Sequence, residues 1–486
     1  MKETIYLLSI LLICLSCSDE IETDNFQETR VIDGTSRTIG DGTYEALGFS
    51  YDITDNYLGE NSVKLKVIDV EAFIKDNRDR FYNPFIGTID QRSYAGENAE
   101  SFMHDIITKS NFEGSVAATN STDKEKGFFS GTIKTGFSSE NKYSYSTKYS
   151  FARVEVLKKQ RHYFLHTDIQ TLSKYLASTF KEDLNNYSAD KIVELYGTHV
   201  LTNITVGGTY TAFYKSVITE VNNKTEKTAT VSAGAKYSLS RVGLDANGSW
   251  SNTEITEMNK KNSDWICNIK CIGGSTSGTT ITLSSNNQGP SYTINLGSWT
   301  ESVDDTHSKL VDVDWNYAYP IYELVSDLTK KKQLEEAVKK YINSKQIIML
   351  NIVPLYEGYH VRGGDHLYTL DKNEISKFGY NDNGIACYVL SPDNEEKIGY
   401  KPVYRGYNKQ MNDHYYTTTY DEFRQHGYTY ERTEFYISPT LQDCTMPFYQ
   451  GYKDKDGDHF YTLNFSMFAQ HGYSYQTILG YVFPQN

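Results

Sequence analysis

The sequence lacks the features that would hold it in a membrane by helices or direct it to nucleic acid. It contains no run of 18 consecutive apolar residues, so no segment is predicted to cross a bilayer as a permanent helix. Positive charge is scarce, because 48 lysines and arginines face 62 aspartates and glutamates and the net charge is −14. Since phosphate binding needs a basic surface, nucleic acid is not expected as a partner.

Cysteine is also sparse, with six residues in the whole chain. Cys267 and Cys271 lie in one strand-like run, where an extended chain separates their Cα atoms by roughly 13 Å, too far for a disulfide, so we predict buried free thiols. No histidine lies near this pair to complete a metal site. No nucleophile or paired carboxylate has the spacing of a catalytic base. We therefore expect neither a metal nor a cofactor, and no enzymatic activity.

The N-terminal segment has the pattern of an export signal. Lys2 precedes an apolar run over residues 5–15, and Ser16 then precedes Cys17. This order resembles a bacterial lipobox, in which the cysteine is acylated and becomes the first residue of the mature protein. We predict a signal peptide over 1–16 and a polar tether over 17–40. The expected location is the outer membrane, as a lipoprotein at the cell surface, with simple secretion as the alternative.

Two regions of different character follow the tether. Residues 41–350 mix alternating apolar runs with helical stretches predicted over 168–184, 189–195 and 330–347, which is typical of an α+β domain. Residues 353–486 contain short aromatic strands separated by Gly, Asp and Asn turns, which predicts an all-β domain. Tyrosine is abundant, with 41 residues, and suits exposed β surfaces, sugar-binding faces and membrane interfaces alike.

The all-β region is an internal triplicate. Its units, about 353–400, 401–445 and 446–486, repeat a Pro-φ-Tyr, Asp-His-φ-Tyr-Thr and Gly-Tyr pattern at spacings of 48 and 45 residues. Such units are too small to close a core alone, so we predict packing around a pseudo-threefold axis. A β-trefoil is the expected architecture and a β-prism the alternative. The unit resembles an uncharacterised repeat found in secreted bacterial and fungal proteins.

Each unit brings an acid, an imidazole and an aromatic ring together. Planar polar groups beside a ring suit the binding of a receptor or glycan. The same residues equally suit a turn and the core of each unit, so both roles stay open. The nine residues are Asp365, His366, Tyr368, Asp413, His414, Tyr416, Asp458, His459 and Tyr461.

The most informative motif lies in the α+β region. Tyr196-Gly197-Thr198-His199 is followed by Gly207-Gly208, and further on by Gly273-Gly274 and Trp299. This order resembles the signature of the membrane attack complex/perforin (MACPF) family over roughly residues 45–345. The resemblance implies a MACPF/cholesterol-dependent-cytolysin-like domain with a bent central antiparallel sheet and flanking helical clusters. The motif would join the helix over 189–195 to a strand over 200–218. Paired glycines would permit the bend because they lack Cβ and tolerate strained dihedral angles, and His199 is expected to be structural.

The resemblance also implies two segments that are helical in the soluble form and refold into β-hairpins in a membrane. A lipid-facing strand needs alternating apolar and polar residues, and a stretch on each side of the signature has them. Half-buried strands of a soluble sheet show the same period, so alternation alone leaves that reading open. The apolar positions are Phe129, Ile133, Phe137, Tyr143, Tyr145 and Tyr149 in the first stretch, and Ala229, Val231, Ala233, Ala235, Tyr237, Leu239, Val242, Leu244, Ala246 and Trp250 in the second.

Together these features predict a pore-forming protein. The C-terminal domain would bind a receptor or glycan on a target cell, and the chains would then self-associate as a ring on membrane lipid. Insertion as a closed barrel would satisfy the backbone groups that lipid cannot. Competing bacteria are the expected targets. The alternative function is a non-lytic surface adhesin or glycan-binding protein that keeps the fold without inserting.

Overall fold

The computed structural model describes residues 42–112, 131, 133, 144–218, 223–244, 250–285, 293–393, 397, 399–442 and 445–484. Several predicted positions lie outside these residues, namely the lipidation site Cys17, the tether, Phe129, Phe137, Tyr143 and Ala246, together with the side chain of Tyr145. None of the described helices is long and apolar enough to span a membrane.

A long antiparallel sheet forms the centre of the α+β region. The two longest strands, β6 and β8 of the series given below, pair over nearly their full length. The described strands are β1 (Phe49–Tyr51), β2 (Val63–Lys66), β3 (Phe81–Tyr82), β4 (Ile89–Gly96), β5 (Ser144–Ser146), β6 (Tyr149–Leu165), β7 (His199–Leu201), β8 (Asn203–Ile218), β9 (Asn262–Ile272), β10 (Thr280–Ser284), β11 (Lys309–Val313), β12 (Ala318–Pro320) and β13 (Ile348–Leu350).

The central sheet runs in the order β10-β9-β8-β6, with β3 and β4 along the far side of β6 and β11 along β8. Because successive side chains of a strand point to opposite faces, the sheet separates two cores. Phe151 and Phe213 belong to the core beneath the smaller sheet β12-β7-β1-β2. Val154 and Tyr214, on the same two strands, belong to the core on the other face.

Helices cover both faces of this sheet. Several begin at a side chain that caps the first turn, such as Asn98 and Ser251, whose oxygens accept from backbone N–H groups. The described helices of this region are α1 (Val70–Asp76), α2 (Ala99–Ser110), α3 (Ile169–Leu172), α4 (Ser178–Asn186), α5 (Ala189–Tyr196), α6 (Lys224–Arg241), α7 (Asn252–Lys261), α8 (Leu296–Ser302) and α9 (Leu328–Asn343).

Two predicted helices differ from the observed ones. The sequence suggested one helix over 168–184, but a 3-10 turn and an extended residue, Leu176, separate α3 from α4. The reason is tertiary, since Ala177 N–H donates to the carbonyl of Val67 rather than to a helical partner. The helix predicted over 330–347 begins earlier, where Asp327 caps it, and ends at Asn343.

The C-terminal region contains three similar units of three strands and one short helix. In each unit the first strand pairs with both others, and the short helix lies between the second and third strands. The elements are β14 (Ile352–His360), β15 (Asp365–Thr369), α10 (Lys372–Lys377) and β16 (Asn381–Leu390); β17 (Lys401–Asn408), β18 (Asp413–Thr417), α11 (Glu422–His426) and β19 (Thr429–Ile437); and β20 (Met446–Lys453), β21 (Asp458–Thr462), α12 (Ser466–His471) and β22 (Ser474–Val482).

The three units meet along their second strands, β15, β18 and β21, which contact one another in every pairwise combination. Short bridges also join the third strands, with Leu390 opposite Tyr436 and Ser438 opposite Tyr481. The side chains at the centre form one apolar core shared by all three units. This arrangement has pseudo-threefold symmetry, with three strands from each unit around a common centre. It does not confirm either the β-trefoil or the β-prism.

Candidate functional site

The signature motif fixes the junction between α5, β1 and β7. Thr198 Oγ1 donates to the carbonyl of Tyr51 at 3.2 Å and accepts from the N–H of Ile53 at 3.2 Å. His199 is fully buried, with its Nδ1 at 3.0 Å from Thr198 Oγ1. A Cβ at Gly197, where φ is +68°, would lie 2.9 Å from the Tyr51 carbonyl oxygen. These contacts hold the small sheet against the helix and leave the histidine no access to a substrate.

The glycine pairs allow two backbone segments and an indole ring to pack closely. A Cβ on Gly207 would lie 1.9 Å from the carbonyl oxygen of Lys158, and one on Gly273 would lie 2.4 Å from the carbonyl oxygen of Gly207. Trp299 covers Gly208, and its Nε1 donates to the Gly273 carbonyl at 3.2 Å. Of the two predicted reasons, the missing Cβ applies to Gly207 and Gly208, whereas strained dihedral angles are wrong for this pair. Of the glycines at the bend, Gly273 and Gly274 have positive φ, whereas Gly207 and Gly208 provide space.

The register of β6 against β8 shifts where these glycines lie. Lys159 is opposite Gly207 but Arg161 is opposite Val206, so Gln160 is the extra residue of a β-bulge. A bulge increases the local twist of a strand pair, which requires the partner strand to approach without a side chain. The need for glycine at position 207 therefore comes from the neighbouring strand β6.

The second predicted inserting segment is helical in this structure. Residues 224–241 form α6, and the alternative reading of this stretch as a strand of the soluble sheet is wrong for them. α6 packs on the sheet through Val231, Ala235 and Leu239, which are fully buried one turn apart. Gly234 lies against Tyr214 of β8, where an added Cβ would approach the phenol ring within 2.6 Å.

Every second residue of the predicted strand face belongs to this helical stripe. The strand face comprises six apolar residues from Ala229 to Leu239, and the helix buries three of them, while Ala229 is exposed and Ala233 and Tyr237 are half-buried. The same sequence thus has a helical period of four that suits the soluble fold and a period of two that suits a strand. Beyond α6, Val242 and Leu244 are buried in a turn, and the Trp250 ring packs against Tyr237 at 5.5 Å.

Less of the first predicted segment is described. Ile133 is a fully buried helical residue, and a Cβ on nearby Gly131 would collide with the backbone of Asp55. Tyr149 begins β6, where Lys215 lies over its ring at 4.5 Å. Tyr149 is therefore a strand residue of the central sheet and not part of a helical segment.

In the C-terminal region, the three predicted Asp-His pairs form a closed ring between units. His366 donates through its backbone N–H and Nδ1 to Asp458 at 3.0 and 2.7 Å. His414 binds Asp365 in the same way, at 2.8 and 2.7 Å, and His459 binds Asp413 at 2.8 and 2.7 Å. One carboxylate oxygen from each of the three aspartates lies within 4.8 Å of the other two.

Each carboxylate also accepts from a tyrosine hydroxyl of its own unit: Tyr380 donates to Asp365, Tyr428 to Asp413 and Tyr473 to Asp458. Three donors for every aspartate offset the repulsion between the clustered carboxylates. Tyr368, Tyr416 and Tyr461 meet edge to face next to this ring, with centroids 5.3 to 5.7 Å apart, and they are also buried. The burial of the aspartates and tyrosines argues against direct sugar contact by these side chains, and their receptor role stays a prediction.

A cavity of about 400 Å³ opens between the first and second units, and its lining was not singled out from the sequence. Its polar wall consists of Arg405, Glu374 and Glu431, and its aromatic wall includes Tyr380 and Tyr407. His414 is the exception, a lining residue that the sequence had singled out. The sequence signal that marks this cavity is a break in the repeat: an aromatic residue follows Asp-His in the other two units, whereas leucine follows it in the first.

A long central antiparallel sheet, bulged at a glycine pair and carrying a helical segment between two adjacent strands, defines a perforin-type domain. Residues 43–351 match the sequence model of the MAC/Perforin domain, and the chain belongs to this family. Residues 325–425 and 354–483 match a domain of unknown function, DUF5648. None of the curated proteins matches the chain.

Solved structures to which the chain is similar include the following three proteins. A protein described as a cell invasion protein with a MAC/Perforin domain, from Bacteroides thetaiotaomicron, is 18% identical over 70% of this chain and 72% of its own, with a TM-score of 0.49. GNIP1Aa from Chromobacterium piscinae is 14% identical over 92% of this chain and 83% of its own, with a TM-score of 0.46. Listeriolysin O is 14% identical over 50% of this chain and 43% of its own, with a TM-score of 0.20.

Proposed function

We propose that the chain is a non-enzymatic pore-forming protein in which two helical segments refold into membrane-spanning β-hairpins. The observation that supports this function is the double pattern of α6. Its helical face, Val231, Ala235 and Leu239, is buried on the sheet, while the same residues belong to a continuous apolar face at strand spacing. A helix that never refolds needs the first pattern alone.

The connections of the sheet favour such a change. β8 and β9 are adjacent antiparallel strands with Ile218 opposite Asn262, so the 43 residues between them need only extend both strands to form a hairpin. A tilted spanning strand takes about ten residues, which leaves enough chain for two arms and a turn. The first segment has an equivalent position in the chain, because it lies between β4 and β6. These two strands also pair antiparallel, with Gly96 opposite Phe151 at the end of the pairing.

Assembly and targeting complete the proposal. The described part of the central sheet ends at β4 on one side and at β10 on the other, and strands at such edges offer backbone groups for pairing between chains in a ring. The C-terminal units bind the surface of the target cell, and lipidation at Cys17 or secretion delivers the chain. Competing bacteria are the proposed targets, with host cells as the second choice.

A single substitution tests the refolding of α6. Ser238 is buried on the inner face of α6, next to β9, where its hydroxyl acts to lower the pKa of the Cys267 thiol. Ser238→Cys therefore places two thiols together, and oxidation should staple the helix to the sheet. Dye release is measured from vesicles of bacterial outer-membrane lipid and from phosphatidylcholine–cholesterol vesicles, with the disulfide verified by mass spectrometry. Ser238→Ala, which cannot be stapled, is the matched control.

We expect the wild type and Ser238→Ala to release dye under oxidising and reducing conditions. The oxidised Ser238→Cys variant should release none until reductant is added, because α6 cannot leave the sheet. Full release by a verified disulfide form would overturn the refolding of this segment. Vesicle binding without release from either membrane would leave the non-lytic adhesin as the function.

A further inference from the structure

The histidines of the three Asp-His pairs have nearly the same surroundings, with one exception. Each stacks on a tyrosine of its own unit, with ring centroids 4.5 to 4.7 Å apart. The opposite face of His366 is covered by Phe460 of the third unit at 4.8 Å. The opposite face of His459 is covered by Tyr415 of the second unit at 4.7 Å. An aromatic ring from the neighbouring unit thus closes two of the three inter-unit clefts.

In the third cleft, no aromatic residue of the described part of the chain takes this position. The residue that corresponds to Tyr415 and Phe460 in the repeat is Leu367, and it stands beside His414. Leucine is shorter than either aromatic residue, and the cavity of about 400 Å³ lies at this place. Its volume falls within the range of small-ligand sites, about 300–1,000 Å³. The cleft therefore has room for one ring, in the position that an aromatic side chain of the protein fills in each of the other two clefts.

The polar wall of this cleft is also unlike its counterparts. Arg405 donates to Glu374 at 2.9 Å and to Glu431 at 2.7 Å, so its guanidinium plane is fixed. Glu431 is about one-third exposed, which leaves it accessible to a hydroxyl group. Asn412, which also lines the cleft, accepts from Tyr407 at 2.9 Å and adds a planar amide to the polar groups.

At the other two clefts, the pair that corresponds to Arg405 and Glu431 is different. Both of its side chains are neutral in the third unit, and one of them is neutral in the first unit. Gln450 donates to Gln476 at 2.8 Å in the third unit. Asn383 donates to Glu357 at 2.8 Å in the first unit. A fixed guanidinium–carboxylate pair and an open ring-sized space therefore occur together in one of the three clefts.

We propose that the cleft between the first and second units binds one neutral hexose of a cell-surface glycan, with the sugar ring in the place of the missing aromatic ring. The tilted faces of His414 and Tyr407, 4.7 Å apart, and the Tyr380 ring give the apolar wall against which a pyranose packs. Glu431 accepts from the sugar hydroxyls, and the nearly buried Arg405 holds its carboxylate in place. Three carboxylates, from Glu374, Glu431 and Glu434, contact the two guanidinium groups of Arg405 and Arg432. This excess of one negative charge disfavours uronic and sialic acids. The inference deepens the proposed function, on which it rests for the role of the sugar as a target.

The closing experiment fills the cleft with the ring that the chain uses elsewhere. Leu367→Phe copies Phe460 and should fold, because the third unit accommodates the same side chain in the same position. Saturation-transfer NMR on the full chain, without membranes, is measured with galactose, glucose, mannose, N-acetylglucosamine and glucuronic acid. A second variant, Glu431→Gln, keeps the shape of the cleft and removes the charged acceptor. Phe460→Leu is the control that opens a cleft without the charged pair.

We expect at least one neutral hexose to receive saturation from the wild type and Phe460→Leu, and none from Leu367→Phe. Glu431→Gln should weaken the binding by about tenfold, the effect of losing a charge-assisted hydrogen bond. Absence of transfer to every neutral sugar, equal transfer with Leu367→Phe, or transfer to glucuronic acid alone would overturn the proposal. If Leu367→Phe loses sugar binding but still releases dye from cell-derived vesicles, the site stands and its role in targeting fails.

Discussion

The hydroxyl of Tyr416 bridges the backbone of Tyr368 in the neighbouring unit, accepting from its N–H at 2.8 Å and donating to its carbonyl at 2.6 Å. Tyr461 bridges Tyr416 and Tyr368 bridges Tyr461 in the same manner. Each strand at the axis thus has its backbone satisfied by a side chain of the next unit. The three tyrosines close the module as a cycle, which no single unit could form.

Tyr416→Phe should lower the free energy of unfolding by about 1–3 kcal/mol, because the buried N–H and carbonyl of Tyr368 lose their shared partner. Urea unfolding followed by tyrosine fluorescence measures the change. Tyr420→Phe is the matched control, since Tyr420 is exposed and should change stability by less than about 0.5 kcal/mol. Equal effects of the two substitutions would show that the bridge contributes nothing.

Gly207→Ala should destabilise the perforin-type domain by more than about 4 kcal/mol, because the new Cβ would lie 1.9 Å from the Lys158 carbonyl oxygen, a backbone atom fixed by the sheet. Gly297→Ala, in α8, is the control. Its Cβ meets only an Asn295 oxygen at 3.4 Å, and alanine favours a helix by up to about 1 kcal/mol. Thermal unfolding compares the two variants. A Gly207→Ala protein with the wild-type melting temperature would contradict the close approach.

Acid should destabilise the C-terminal module through Glu374. Burial acts to raise the pKa of Glu374, but hydrogen bonds from Arg405, Arg432 and Thr369 outweigh it and lower the pKa to about 2. A carboxyl group with a depressed folded pKa stabilises the fold above its unfolded pKa, about 4.3, and this stabilisation disappears as the pH falls toward 2. Urea midpoints between pH 7 and 2 should decline over this interval, and the decline should be shallower in Glu374→Gln. Parallel profiles would exclude this contribution.

Alkylation of Cys267 should report the departure of α6 from the sheet. Burial raises the pKa of this thiol to about 12, against the opposing hydrogen bond from Ser238, so iodoacetamide at pH 8 should leave it unmodified in the soluble protein. On vesicles that release dye, α6 no longer covers β9 and Cys267 should become alkylated. Cys387, buried in the C-terminal core, is the internal control and should stay protected. Peptide mass spectrometry reads both sites, and dye release with protected Cys267 would contradict refolding of α6.

Local patterns in the sequence were sufficient to predict several elements. The capped amphipathic stretch before the signature forms α5, and the alternating run after it forms β7 and β8. The spacings of 48 and 45 residues, which recur for every repeat marker, predicted three units around one axis, because similar segments bury similar faces. Those predictions depend on periodicity, which neighbouring residues along the chain determine.

Other features depended on residues that are distant in the sequence. The helical state of residues 224–241 follows from the fit of Gly234 to Tyr214 and of Val231 to the sheet, since the sequence alone allows either period. Likewise, the close approach at Gly207 is set by Lys158 on another strand. A one-dimensional pattern shows which faces a segment can present, and the partners in space decide which face is used.

The sequence by itself determined the family, the three-unit organisation and the positions of the Asp-His pairs. The tertiary structure alone decided that each histidine binds the aspartate of a different unit and that Leu367 leaves one cleft open. The physical reason is that hydrogen-bond partners and packing neighbours across the axis are separated by more than 40 residues. Their pairing emerges only when the three units close around one another.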